Sequence, residues 1–194
     1  IAPNDAFPYY ALGMLAYRRE QYDAARMLFV KSATLAPEYA KTYRMLGIIA
    51  IKQHRDQDGA LFLRRALTLD PRDATAMANL GLAAQRAGDE AAARRLYRDA
   101  LALDPAQRLA RNNLGTLYLQ GRQWGDALEQ FSALLAAAPD DYDAALNRAV
   151  ALHEMGRKDD ARGAFEALLA RLPPDPKFDM HRRAAELILR RTAP

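Results

Sequence analysis

ATAMANLGLAAQRAGDEAAARRLYRDALALDPAQ, residues 74–107, is the stretch that decides the fold of this chain. Met77, Leu80, Gly81 and Ala84 recur at i, i+3, i+4, i+7 spacing, which places them on one face of a helix. Ala93, Leu96, Tyr97 and Ala100 do the same on a second helix. Gly88 lies between the two and tolerates a positive φ, so a sharp turn is expected there. Asp104 precedes Pro105, and the residue before a proline avoids the α conformation. The second helix should therefore stop at Asp104.

The same unit is written on both sides of this stretch. Pro37, Pro71, Pro105, Pro139 and Pro173 follow one another at steps of 34 residues. Leu12-Gly13, Leu46-Gly47, Leu80-Gly81 and Leu114-Gly115 keep that step. So do the small residues Ala25, Gly59, Ala93, Ala127 and Ala161, and the large ones Phe29, Leu63, Tyr97, Phe131 and Phe165. A period of this length marks a repeat array. One helix hairpin cannot bury its own apolar face, so stacked neighbours complete the core.

This set of positions resembles the tetratricopeptide repeat. The resemblance implies an all-α fold, a right-handed superhelical α-solenoid of antiparallel helix hairpins. Five repeats are expected at 6–39, 40–73, 74–107, 108–141 and 142–175, after a lead at 1–5 and before a capping helix and tail at 176–194. Asn4 or Asp5 is placed to cap the first helix, and Lys177 to Arg191 should form the last. Two repeats depart from the pattern. Repeat two turns through His54-Arg55-Asp56 without a glycine, and repeat five has Arg148-Ala149 in place of Leu-Gly. An arginine at a core position must carry its guanidinium outward or meet a carboxylate. Either repeat five packs more loosely, or Arg148 has a task of its own.

Composition narrows the chemistry. The chain has 194 residues, 51% of them apolar, a net charge of +4 and no cysteine, so it holds no disulfide, thiol nucleophile or thiolate metal site. No apolar run is long enough to span a bilayer, so direct membrane insertion is not expected, and no signal-peptide pattern is present. The chain opens on Ile1, which points to an excerpt or a processed form, and its compartment stays open. An alanine- and arginine-rich composition suggests a bacterial source. His54, His153 and His181 lack metal-ligand spacing, and the acids at Asp56/Asp58, Asp89/Glu90, Asp126 and Asp159/Asp160 stand where second helices begin. Neither a catalytic constellation nor a metal or cofactor site is expected, so the chain does not read as an enzyme.

The resemblance also says where a ligand would lie, since the first helices of such an array line its concave side. The ligand-facing positions of the family place Tyr10, Met14, Tyr17 and Arg18 of repeat one there, with Lys41, Arg44 and Lys52 of repeat two. Repeat three adds Asn79 and Arg86. Asn79, Asn113 and Asn147 form a ladder on the repeat period, and each carboxamide both donates to and accepts from a peptide backbone. The cations make the groove basic, and the tyrosines with Met14 give it an adaptable apolar lip. The expected partner is another protein or peptide bearing acidic residues, within a bacterial multiprotein assembly. The alternative is the recruiting domain of a larger enzyme or envelope protein. Nucleic acid is disfavoured, because Arg64, Arg65, Arg94, Arg95 and Arg98 on the outward face lack interleaved aromatics. Self-association into a homo-oligomer remains open.

Overall fold

The structure, a computed structural model, describes residues 5–191. Its α-helices are α1 (Ala6–Arg18), α2 (Tyr22–Leu35), α3 (Ala40–Lys52), α4 (Asp56–Leu69), α5 (Ala74–Arg86) and α6 (Glu90–Leu103). There follow α7 (Arg108–Gln120), α8 (Trp124–Ala137), α9 (Tyr142–Glu154), α10 (Lys158–Arg171) and α11 (Asp179–Arg191). None of these helices is long and apolar enough to cross a membrane. The chain divides into two compact units, Ile1–Ala110 and Arg111–Pro194.

The turn inside each hairpin has one design. A residue with positive φ follows the first helix at Glu20, His54, Gly88, Arg122 and Gly156, again at steps of 34. The next amide then reaches back to the last turn: Gln21 to Ala16 O, Arg55 to Ala50 O, Asp89 to Ala84 O, Gln123 to Tyr118 O and Arg157 to Leu152 O, at 2.8–3.0 Å. This left-handed cap satisfies carbonyls that a helix end would otherwise leave open. Glycine meets the requirement without cost at Gly88 and Gly156, whereas Glu20, His54 and Arg122 adopt it against their intrinsic preference.

Aspartates set the starts of four of the helices. Asp5, Asp73 and Asp141 cap α1, α5 and α9 by accepting the amides of Phe7, Ala76 and Ala144 at 3.0, 2.9 and 3.1 Å. Asp89 does the same for α6, accepting from Ala92 at 3.0 Å. Asp104 ends α6 and folds its carboxylate onto the Ala106 amide at 3.0 Å, so the helix stops where the proline requires.

Within the first unit, α1–α2, α3–α4 and α5–α6 are antiparallel hairpins pressed together at a glycine. A Cβ on Gly13 would lie 2.9 Å from Phe29, one on Gly81 2.7 Å from Tyr97, and one on Gly47 2.6 Å from Leu63. Phe29, Leu63 and Tyr97 are fully buried, so the absent side chain is what admits them. Ser32 and Thr42, also fully buried, join α2 to α3 through a 3.2 Å hydroxyl contact. Serine in that place is thus a paired polar group rather than a plain small residue.

The second unit repeats the device with Gly115 against Phe131, a Cβ there approaching to 2.8 Å. In α9–α10 the pair is Ala149 and Phe165, both buried, so this hairpin accommodates a methyl where the others do not. A 3-10 turn at Pro176–Phe178 precedes α11, which begins at Asp179 and not at Lys177. Asp175 forces that delay by accepting the Lys177 amide at 3.0 Å. Phe178 packs edge-on against Tyr142 with ring centroids 5.0 Å apart, and Ala185 enters the cluster of Phe165, Leu168 and Leu172. Leu187 is half-exposed and lies outside the buried stripe.

Candidate functional site

In the first unit the face of α1 and α3 gathers most of the expected ligand-contacting residues. Tyr10, Met14 and Tyr17, one turn apart on α1, pack partly buried against a core of Phe29, Met45 and Ile49. Tyr10 meets Phe29 and Tyr39 edge-on at centroid distances of 5.5 and 5.2 Å, and Tyr17 meets Tyr22 at 5.8 Å. Burial pushes the Tyr10 hydroxyl above the ordinary tyrosine value, Tyr39 adds to this, and Arg44 opposes it. Burial raises Tyr17 as well, with the Lys52 ammonium opposing and Tyr22 adding. Both phenols therefore remain neutral donors with a polar tip beside an apolar body.

The cations divide into committed and free ones. Arg44 binds Asp73 at 2.8 Å, and it also engages the Tyr10 hydroxyl. The Asp73 side chain is only 4% exposed and caps α5 with its other oxygen, so Arg44 neutralises a buried structural charge. Arg86 donates to the Ile51 carbonyl at 3.0 Å and to Asp56 at 2.9 Å, closing the C-terminal end of α3. Lys52 stands over the Tyr22 ring, 5.8 Å from its centroid. Arg18 and Lys41 are exposed and make no ion pair among the described residues.

The asparagines differ from one another too. Asn79 is buried and its amide donates to the Thr75 carbonyl at 2.8 Å, so that donor is committed to its own helix. In the second unit Asn113 accepts from Asn112 at 3.4 Å, while its own Nδ2 is buried without a partner. Asn147 on α9 is half-buried, and Nδ1 of His153, two turns further along that helix, is also buried and unpartnered. Asp143 on the same helix is taken by the cap, through a 2.8 Å contact with Nε2 of His181.

The second helices carry the remaining cations. Arg65 lies over the Tyr43 ring at 5.7 Å and reaches the Pro37 carbonyl, whereas Arg64 and Arg95 rim an open cleft of about 530 Å³ between α4 and α6. Leu80, Ala83 and Ala84 of α5 form the floor of that cleft. Among the described residues no group of three or more histidine or acidic side chains is placed to hold a metal ion.

A sequence signal for the committed groups does exist. Residues about one repeat apart face each other across stacked hairpins, so opposite charges at that separation are candidates for mutual pairing. Arg44–Asp73 and Arg86–Asp56 are 29 and 30 positions apart, and Arg171–Asp140 is 31 apart. Asn79 shows a shorter-range signal, since a mid-helix asparagine finds the carbonyl four residues back.

Comparison with known proteins agrees with this architecture. The family model of the tetratricopeptide repeat matches residues 10–74, 58–108, 78–127 and 112–176. Among solved structures, pilF of Pseudomonas aeruginosa is similar with a TM-score of 0.79 at 21% identity, over 97% of this chain and 86% of that one. The MamA protein is similar with a TM-score of 0.71 at 22% identity, over 88% and 98%. YrrB, described as a TPR protein with an unusual peptide-binding site, gives 0.69 at 19% identity over 94% and 93%. At these identities the likeness is one of fold. No curated protein matches the chain.

Proposed function

The chain belongs to the tetratricopeptide-repeat family, and from that premise we propose that it is a non-catalytic scaffold whose first-helix face holds a segment of a partner protein. The observation that carries this reading is the row of Tyr10, Met14 and Tyr17 beside the unpaired cations Arg18 and Lys41. Rigid aromatic groups with polar tips supply contact area at low entropic cost, and unpaired cations select acidic partners. The second unit, taken by itself, carries on α9 the half-buried carboxamide of Asn147, a group suited to a peptide main chain. YrrB, a TPR protein with an unusual peptide-binding site, supports peptide binding on this architecture.

The roles within the site differ by residue. Arg18 and Lys41 choose the partner's charge, and Lys52 extends the basic surface along α3. Arg44, Asn79 and Arg86 act by holding α3 and α5 in place. The test is retention of partner proteins from a lysate of the producing cells on immobilised protein. Arg18→Glu combined with Lys41→Glu should lower retention at least tenfold, on the order of two rim charges reversed, while leaving the unfolding free energy within about 0.5 kcal/mol of the native value. Undiminished retention by that variant sinks the assignment.

A further inference from the structure

We propose that Arg148 is a second recognition site, which receives an internal Asp or Glu side chain of a partner segment flanked on both sides by apolar residues. Arg148 occupies the place of Leu80 two repeats on. In the first unit that place is an apolar floor: Leu80 is 8% exposed, and Leu96 stands beside it on the wall of the cleft. In the second unit both residues change together. Arg148 replaces the leucine on the floor, and Ala164 of α10 stands where Leu96 does in α6. The neighbouring wall positions are Gly163 and Ala167, so beside Arg148 the wall is low, and the large α10 side chains of the groove are Leu168 and Arg171 toward one end.

The space so made is left open. Arg148 separates two cavities, of about 200 and 330 Å³, which share Arg148, Ala164 and Ala167 in their linings. Leu135, Tyr142, Ala145 and Leu168 line the first, and Leu128, Leu152 and Gly163 the second.

Among the described residues no anion pairs with the guanidinium. Asp160, at one end of the groove, is held by Arg157 at 2.7 Å. Asp140, near the other end, is held by Arg171 at 2.6 Å. Arg148 is half-buried and makes no ion pair or hydrogen bond among the described residues. A partly desolvated guanidinium without a partner is unfavourable, and its planar fork fits a carboxylate bidentately. The fold tolerates here a charge that leucine would avoid, which is the mark of a residue kept for a ligand. Apolar side chains lie on both sides of the charge, Leu135, Tyr142 and Leu168 in the first cavity and Leu128 and Leu152 in the second, where Ser132, Arg157 and Asp160 also stand. An internal acidic residue with apolar neighbours in both directions fills both, whereas a chain terminus fills one.

The probe is the capped peptide acetyl-Ala-Leu-Glu-Leu-Ala-amide, titrated into the uniformly 15N-labelled protein, beside its glutamine counterpart and a glutamine version with a free C-terminus. Expected are shifts at the Arg148 side-chain NεH and at the Ala164 and Ala167 amides, with binding roughly tenfold weaker for the capped glutamine peptide. Arg148→Leu should abolish those shifts and leave the thermal midpoint equal or higher, because it restores the residue that the array has elsewhere. Arg148→Gln, of similar length and uncharged, should also lose binding if the leucine variant does not fold. Equal binding of the glutamate and capped glutamine peptides would overturn the proposal, as would shifts confined to other residues. A fall in midpoint for both variants would overturn it too, by making the arginine a structural residue. Tighter binding of the free C-terminus would show the site to be a terminus receptor, against the internal acid proposed.

Discussion

Gly47→Val is expected to lower the unfolding free energy by about 3 kcal/mol, at the upper end of what overpacking of a core costs. A Cβ at Gly47 would lie 2.6 Å from Leu63 Cγ and 3.1 Å from the Gly59 carbonyl oxygen, while one at Gly59 would lie 2.7 Å from Ile51 Cδ1 and 3.1 Å from the Gly47 carbonyl oxygen. Two glycines therefore bring α3 and α4 together backbone against backbone. Leu63 is fully buried and has nowhere to go. Valine gains a few tenths of a kcal/mol of helix propensity over glycine, too little to offset the clash. Urea denaturation measures the effect. Gly125→Ala is the control: Gly125 is the second residue of α8 with nothing within 4 Å of a Cβ, so alanine should leave stability unchanged or raise it by at most about 0.5 kcal/mol. A valine at position 47 as stable as the native glycine would refute the close approach of the two helices.

Arg44→Glu should cost about 3–5 kcal/mol, the range for leaving a buried charge without its partner. Both oxygens of Asp73 are in use, one on the Ala76 amide and the other on Arg44. The substitution places a second carboxylate beside one that is 4% exposed and ties down the start of α5. Arg44→Met, which removes the charge without reversing it, should cost about 1–3 kcal/mol. Thermal unfolding of the two variants gives the comparison, and equal stability of Arg44→Glu and the native protein would contradict the structural role. The consequence for function is practical. A loss of binding in Arg44→Glu reports damage to α3 and α5, whereas Arg18 and Lys41 can be reversed without touching the fold.

What the sequence makes legible follows from which constraints are local. The turn at Gly88 and the stop at Asp104 depend on the backbone preferences of single residues, so they can be read directly. The contact of Gly81 with Tyr97 is legible because a glycine and a large apolar residue recur on one period in four repeats, the large residue being aromatic in three of them, as a shared steric need requires. Glu20, His54 and Arg122 are less transparent. Their left-handed conformation is imposed by closure of the hairpin, against the intrinsic preference of each residue. The candidate site is harder still. The ligand-facing positions of the family mark Arg44 and Lys41 alike as groove cations, and only the position of Asp73, 29 residues from Arg44, tells them apart. Arg148 was visible as an exception to the pattern, but the open space around it depends on Ala164 in another helix.

The central claim is that the first-helix face of residues 5–110 receives the partner. Photo-cross-linking from a benzoylphenylalanine residue compares Met14, on that face, with Met27, which is 69% exposed on α2. The two positions lie in the same hairpin, and thermal unfolding of both variants checks that the bulky probe at the partly buried position 14 leaves the fold intact. Irradiation of producing cells should give discrete protein adducts from position 14 and not from position 27, and the adducts should vanish when Arg18→Glu and Lys41→Glu are added. Adducts from position 27 alone would place the partner on the second helices and contradict the account.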